Sequence, residues 1–303
     1  MPKQQAADIL VVVDNSGSMT AKQQNLVDNF LNQNAAECPL QDLANIPAGF
    51  KNPKPELYTG DGPLAKCGFV QLVAAFDNDF RIGVITTDVG LCDNRISASQ
   101  GLAAWGYRPQ RGCLHGDGVP GTGERKIIAR ADLTDDDTSN DDLAGRFKDT
   151  LGNVGVFGSP IERGLDAMNI FLDPNASRAP GCEDDLSLFR RKDASLVVIF
   201  LSDENDCSHG IGDALAQFGD EFASQQCASD DACHNVGDPT SPCVGGICQE
   251  VCGEFASGLT SIDGSKCYAH PEELTPVDAY VAPLLHVDPH AKVAVIAGAD
   301  DAN

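Results

Sequence analysis

Long apolar runs are missing from this chain. Nowhere does it hold the roughly 18 successive apolar residues that a membrane-crossing helix needs, so no membrane span is expected. The opening residues, MPKQQAADIL, lack the apolar core of a secretory leader. They read as the start of a mature fragment with an added Met1. Positive charge is scarce. Lysine and arginine total 21 against 45 aspartates and glutamates, a net charge of −24. Such a surface repels nucleic acid and anionic lipid and tolerates divalent cations. No C-x-x-C pair occurs, which argues against zinc ribbons and thioredoxin-like sites. The histidines form neither H-E-x-x-H nor H-x-H. The glycine-rich GDGVPGTGERK (116–126) has Glu124 after Gly123. It therefore lacks the G-K-[ST] ending of a phosphate-binding loop and is expected to be a flexible connection. No internal repeat or low-complexity linker is present.

Cysteine, by contrast, is abundant. Twelve fall at positions 38, 67, 92, 113, 182, 207, 227, 233, 243, 248, 252 and 267. An even number this large reads as disulfides and an oxidising compartment. Zinc at Cys233 and His234, or at Cys243, Cys248 and Cys252, is the less economical reading. The pairing stays open.

DILVVV (8–13) and SLVVIFL (195–201) are almost unbroken apolar runs, as expected of central parallel strands covered on both faces. FRIGVIT (80–86) and KVAVIAG (292–298) are weaker members of the same set, and RKIIARA (125–131) fits a short edge strand. Helical spacing lies between them. Met19, Leu26, Phe30 and Leu31 share one side; so do Leu143, Phe147 and Leu151; Ile161, Leu165, Met168 and Leu172; and Ile211, Leu215, Phe218 and Phe222. Residues 275–285 are a last helical candidate, limited by Pro283. Strands alternating with helices predict an α/β fold, a doubly wound, mainly parallel sheet flanked by helices. One domain over 1–303 is expected, with insertions at about 36–66, 89–124 and the cysteine-rich 224–270.

In open parallel sheets ligands bind beyond the carboxyl ends of the strands. The residues there are Asp14, Ser16 and Ser18; then Thr86, Thr87 and Asp88; then Ser202, Asp203, Glu204, Asn205 and Asp206. Ser159 stands just before the helix near 160. Hydroxyls and carboxylates collect with no lysine among these strand-end residues. This is hard-cation chemistry, because magnesium takes oxygen ligands in octahedral geometry. Positions i, i+2 and i+4 of a turn can aim three side chains at one point, and Gly17 gives the backbone freedom for it. Serine ligands are neutral, so the ion keeps positive charge and attracts an outside carboxylate. Ser159 with Glu162 and Pro160 also fits a plain helix-capping box.

DNSGSM after an apolar strand, GSPIERGLDA and VVIFLSDEND together resemble a von Willebrand factor A domain with its metal-ion-dependent adhesion site. With RIGVITTDV they are most similar to secreted or lipid-anchored bacterial members, myxobacterial ones among them. The resemblance spans residues 8 to about 300 but not the cysteine-rich loops. It implies Asp14, Ser16, Ser18, Ser159 and Asp203 as ligands of Mg²⁺ (or Mn²⁺ or Ca²⁺), with Ser159 where the family carries threonine. Thr87, Asp88, Glu162 and Glu204 are candidates for the surrounding shell. It also implies a final strand and helix that AVIAGADDAN does not supply, and hence a chain cut short there. The expected function is a non-enzymatic extracellular or cell-surface module, with lipid anchoring through a segment elsewhere compatible with it, whose metal ion takes a carboxylate from a partner protein. Two alternatives stand beside it. One is a surface assembly component working through the cysteine-rich loops. The other is a metal-dependent hydrolase with Asp88 or Glu204 as general base.

Overall fold

The structure is a computed structural model. It describes residues 6–16, 19, 22, 38–40, 45–76, 78–87, 89, 112–118, 124–132, 143–155, 162–176, 181–203, 206, 208, 243–244, 247–248 and 274–297. The strands are β1 (Ala7–Val13), β2 (Phe80–Thr86), β3 (Ile128–Ala129), β4 (Ser195–Ser202), β5 (Cys243–Val244), β6 (Ile247–Cys248) and β7 (Lys292–Ala297). The helices are α1 (Pro55–Tyr58), α2 (Phe69–Ala75), α3 (Leu143–Val154), α4 (Gly164–Leu172), α5 (Asp185–Phe189) and α6 (Asp278–Val287).

The main sheet has five strands in the order β3-β2-β1-β4-β7. β1 pairs in parallel with both β2 and β4, and β4 with β7. β3 is antiparallel to β2 at one edge. The four longer strands follow the expected runs, and the edge strand occupies two residues of its expected seven. β5 and β6 form a separate two-stranded ribbon inside the cysteine-rich segment, where the sequence predicts a loop.

Alternation along β1 explains why it is central. Successive side chains point to opposite faces, and in β1 both sets are apolar. Ile9, Val11 and Val13 join Ile82, Val84, Ile199 and Leu201 under α2 and α3. Leu10 and Val12 join Ile85, Leu196 and Val198 under α4, α5 and α6. Residues 10 to 13 are wholly buried. β7 carries the same apolar composition, but Val293, Val295 and Ile296 are exposed.

α3 begins at Leu143 and buries Leu143, Phe147 and Leu151, the expected stripe. α4 differs from its expected start. Its N-cap is Arg163, so Glu162 precedes the helix rather than closing a capping box within it. Asp173 ends it, as the following proline dictates. α6 continues through Pro283 to Val287. The helices expected over 19–31 and 211–222 lie outside the described residues, apart from Met19 and Lys22. α1, α2 and α5 are short, with four, seven and five residues. That length is too small for a helical period to stand out.

Two disulfides are described, Cys38–Cys67 and Cys113–Cys182. Each ties an insertion to the body of the domain. The second insertion is also pinned by the buried Arg146 of α3. Arg146 pairs with Asp117 at 2.7 Å and with Asp132, and its Nη2 donates to the Ile127 carbonyl at 2.7 Å. Burial pushes the Asp117 carboxyl up. The hydrogen bonds from Arg146 and Arg125 outweigh that and hold it below the ordinary aspartate range.

Among the described residues no helix is long and apolar enough to cross a membrane.

Candidate metal centre

The sheet order places a switch point at β1. The chain leaves β1 for β2 on one side and later returns as β4 on the other. At such a point the crossovers diverge and a crevice opens beyond the carboxyl ends. Asp14 follows β1 there, and its N–H donates to the Leu201 carbonyl of β4 at 2.8 Å. The Thr87 N–H donates to the Val13 carbonyl at 3.0 Å. The three strand ends are thus held side by side by their own backbones.

Asp14 is wholly buried and Ser16 nearly so. One Asp14 oxygen, Oδ1, accepts the Ser16 N–H at 2.8 Å. The other, Oδ2, accepts the Ser202 hydroxyl at 2.8 Å. The Ser16 carbonyl accepts the Met19 N–H at 3.2 Å. Beside Asp14, the buried Asn15 Oδ1 has no hydrogen-bond partner among the described residues. Burying an oxygen in that condition is costly unless a donor or cation meets it.

Asp203 directly follows β4, and its side chain is 5% exposed. It is ion-paired with Lys22, whose side chain is 51% exposed. From the second strand, Thr87 is buried and its hydroxyl donates to Glu162 Oε2. Glu162 is buried as well. Of the sequence candidates, the structure therefore collects Asp14, Ser16, Thr87, Glu162 and Asp203 at one edge of the sheet. Ser18, Asp88, Ser159 and Glu204 lie outside the described residues.

Two residues of the site escaped the sequence reading. Ser202 was noted only as a strand-end residue. The register supplied a usable signal, because Val13 pairs with Leu201 and the next pair along is Asp14 with Ser202. Lys22 is not a strand-end residue, and no lysine stands among those, yet it pairs with Asp203. It stands eight positions after Asp14 and reaches Asp203 from across the chain, which spacing alone does not reveal.

The loop after β4 is fixed by the helix beside it. The first-turn N–H groups of a helix have no partner within it. In α4 the Leu165 N–H donates to Asp206 Oδ2 at 3.0 Å, and the Asp166 N–H to Ser208 Oγ at 2.9 Å. The carboxylate of Asp206 also suits the positive end of the helix dipole. α4 thereby fastens the segment that carries Asp203. Gly164 permits the approach. A Cβ there would lie 3.0 Å from a ring carbon of Phe200 and 3.1 Å from Asp206 Oδ2. Gly164→Ala is expected to destabilise the protein by about 1 to 3 kcal/mol through overpacking, measured by urea unfolding. An unchanged midpoint would show that α4 and the loop are not closely seated.

A second group deserves mention because its atoms are close. Ligand atoms of Cys113, Cys182 and Asp185 lie within 4.8 Å of one another. The two sulfurs are bonded to each other. Asp185 accepts from Lys126 Nζ and from the Leu114 N–H, both at 2.8 Å. Burial pushes its carboxyl above the ordinary range, against the pull of Lys126. These groups satisfy one another and leave no thiolate for a metal.

No protein-family model matches the chain. No curated protein matches it either.

Proposed function

We propose that this chain is a metal-dependent binding module of the von Willebrand factor A type, acting outside the cell. Asp14, Ser16, Ser18, Ser159 and Asp203 would hold a divalent cation, Mg²⁺ or Mn²⁺ before Ca²⁺. The observation that carries this reading is Asp14: a fully buried carboxylate at the switch point, flanked by Ser16 and Ser202. The donor set is hard oxygen throughout, which suits these ions. When bound, the ion supplies a positive centre that a partner's acidic side chain can complete. The protein's own residues do the rest. Ser16 N–H and Ser202 Oγ orient the Asp14 oxygens, Thr87 and Glu162 join the end of β2 to the residues ahead of α4, and Asp206 and Ser208 hold the Asp203 segment. The disulfide-tied insertions would shape partner choice, as loops on a rigid scaffold do. The described disulfides fit an oxidising location.

The test is calorimetric titration of Mg²⁺ and Mn²⁺ into wild type, Asp14→Ala and Asp14→Asn. Affinity is expected to fall by about 100-fold or more in both variants, since even residues behind a ligand are worth up to that factor. Equal affinity in all three proteins would sink the proposal. The assembly alternative rests on the separate β5–β6 ribbon. It would be preferred if exchanging residues 224–270 abolished self-association or surface incorporation while Asp14→Ala changed neither.

A further inference from the structure

Lys22 places an ammonium on Asp203 Oδ2, at the carboxylate assigned above to the cation. Asp203 is almost buried, whereas the Lys22 side chain is half exposed. The two ends of this pair differ in kind. The carboxylate is fixed, because it sits directly at the end of β4 and three residues ahead of Asp206, which α4 holds. The ammonium is carried on a flexible four-carbon stem that solvent can receive. An ammonium is a compact, strongly hydrated point charge, so leaving Asp203 for water costs it little. A divalent ion at the same carboxylate brings twice the charge and gathers Asp14 and Ser16 as well. Both cations cannot lie against one carboxylate oxygen without strong mutual repulsion.

We propose that Lys22 is a tethered competitor for the cation site. It neutralises Asp203 when the metal concentration is low and must swing out for the metal to load, so it sets the concentration at which the module becomes competent. This rests on the reading of Asp14 and Asp203 as metal ligands. Its own content is the direction of the Lys22 effect. A lysine that merely braced Asp203 would strengthen metal binding, and a competitor weakens it. Asp14, Glu162 and Asp203 are carboxylates at this edge, so removing the ammonium raises the local attraction for a cation.

The experiment is Mg²⁺ and Mn²⁺ titration of the full chain by calorimetry in wild type, Lys22→Gln, Lys22→Arg and Asp14→Asn. Lys22→Gln is expected to bind about 2- to 5-fold more tightly, the upper part of the range for an ion pair with a half-exposed partner that no longer has to be broken. Lys22→Arg, which keeps the charge, should stay within about twofold of wild type on the same basis. A second measurement does not depend on variants. Acylation of Lys22, followed by mass spectrometry, should speed up when Mg²⁺ is added, because the freed amine leaves the carboxylate. If Asp14→Asn loses metal binding but Lys22→Gln binds equally or more weakly, the competitor role is overturned and the metal site stands. Slower or unchanged acylation with metal overturns it too. If Asp14→Asn binds metal as wild type does, the site assignment falls, and the role of Lys22 falls with it.

Discussion

Replacing Asp8 by alanine is expected to lower stability by about 3 to 5 kcal/mol, the cost of breaking a buried ion pair from one side. Asp8 is the second residue of β1 and is wholly buried. Its Oδ1 accepts Arg191 Nε at 2.7 Å. Its Oδ2 accepts Arg190 Nη1 at 3.0 Å and the Arg191 N–H at 2.7 Å. Arg190 also approaches Asp288 at 3.6 Å, and Asp288 accepts the Leu196 N–H of β4 at 2.7 Å. One aspartate thus joins β1, the end of α5, β4 and the end of α6. Removing it takes a fully buried carboxylate from two partly buried arginines, whose other ionic partners among the described residues are Asp288 at 3.6 Å and the largely exposed Asp79. Thermal unfolding should show a fall on the order of 10 °C. Asp8→Asn, which keeps the shape and one acceptor, should cost less. A change under about 1 kcal/mol for Asp8→Ala would mean solvent already screens the arginines.

The same network has a pH signature. Burial pushes the Asp288 carboxyl up, but the Leu196 and His290 N–H groups and the nearby Arg190 charge bring it below its ordinary value. A depressed carboxyl contributes stability that is present above its unfolded value and lost as pH falls through the lower, folded one. Loosening of this end of the sheet is therefore expected only on the acid side of the usual aspartate range.

Asp8 also marks what sequence could and could not supply. β1 and β4 were legible because their apolar runs are nearly unbroken, and a strand buried on both faces has no other composition. The place of the site was legible for a related reason: polar residues directly after such runs must lie at the sheet's carboxyl edge. The partners of those residues were not. Asp8 looks like an ordinary polar strand start, and its burial comes from arginines 182 and 183 positions away. Ser202 reads as the last residue of a strand until the register sets it against Asp14. Lys22 belongs to a segment whose apolar spacing speaks only of a helix. In each case the informative quantity is a cross-chain register or an ion pair, and no local pattern encodes either.

Asp166 of α4 supplies the counterpart to Asp8, and the two variants should separate stability from site function. Asp166 is wholly buried in α4. Its Oδ1 accepts the Tyr280 hydroxyl of α6 at 2.6 Å. Its Oδ2 accepts Arg163 Nε at 2.9 Å and Nη2 at 2.6 Å. Asp166→Ala takes a fully buried carboxylate away from a nearly buried arginine and a buried phenol, so a loss of about 3 to 5 kcal/mol is expected here too. The consequences for the site differ. Arg163 sits next to Glu162, and its N–H donates to the Thr87 carbonyl at 3.3 Å. The Asp166 backbone N–H, which alanine keeps, holds Ser208 in the loop that carries Asp203, so the effect of the variant on the site runs through the Arg163 side chain that loses its carboxylate. Asp8, by contrast, lies six residues before Asp14 on an extended strand, about 20 Å away. At a temperature where both variants remain folded, Asp166→Ala should weaken Mg²⁺ binding by about 10-fold, as loss of the groups behind metal ligands does, while Asp8→Ala should leave it unchanged. Circular dichroism establishes the folded fraction and calorimetry reads the affinity. Equal effects of the two variants on metal binding would show that affinity follows global stability, and that the α4 contacts do not position the site.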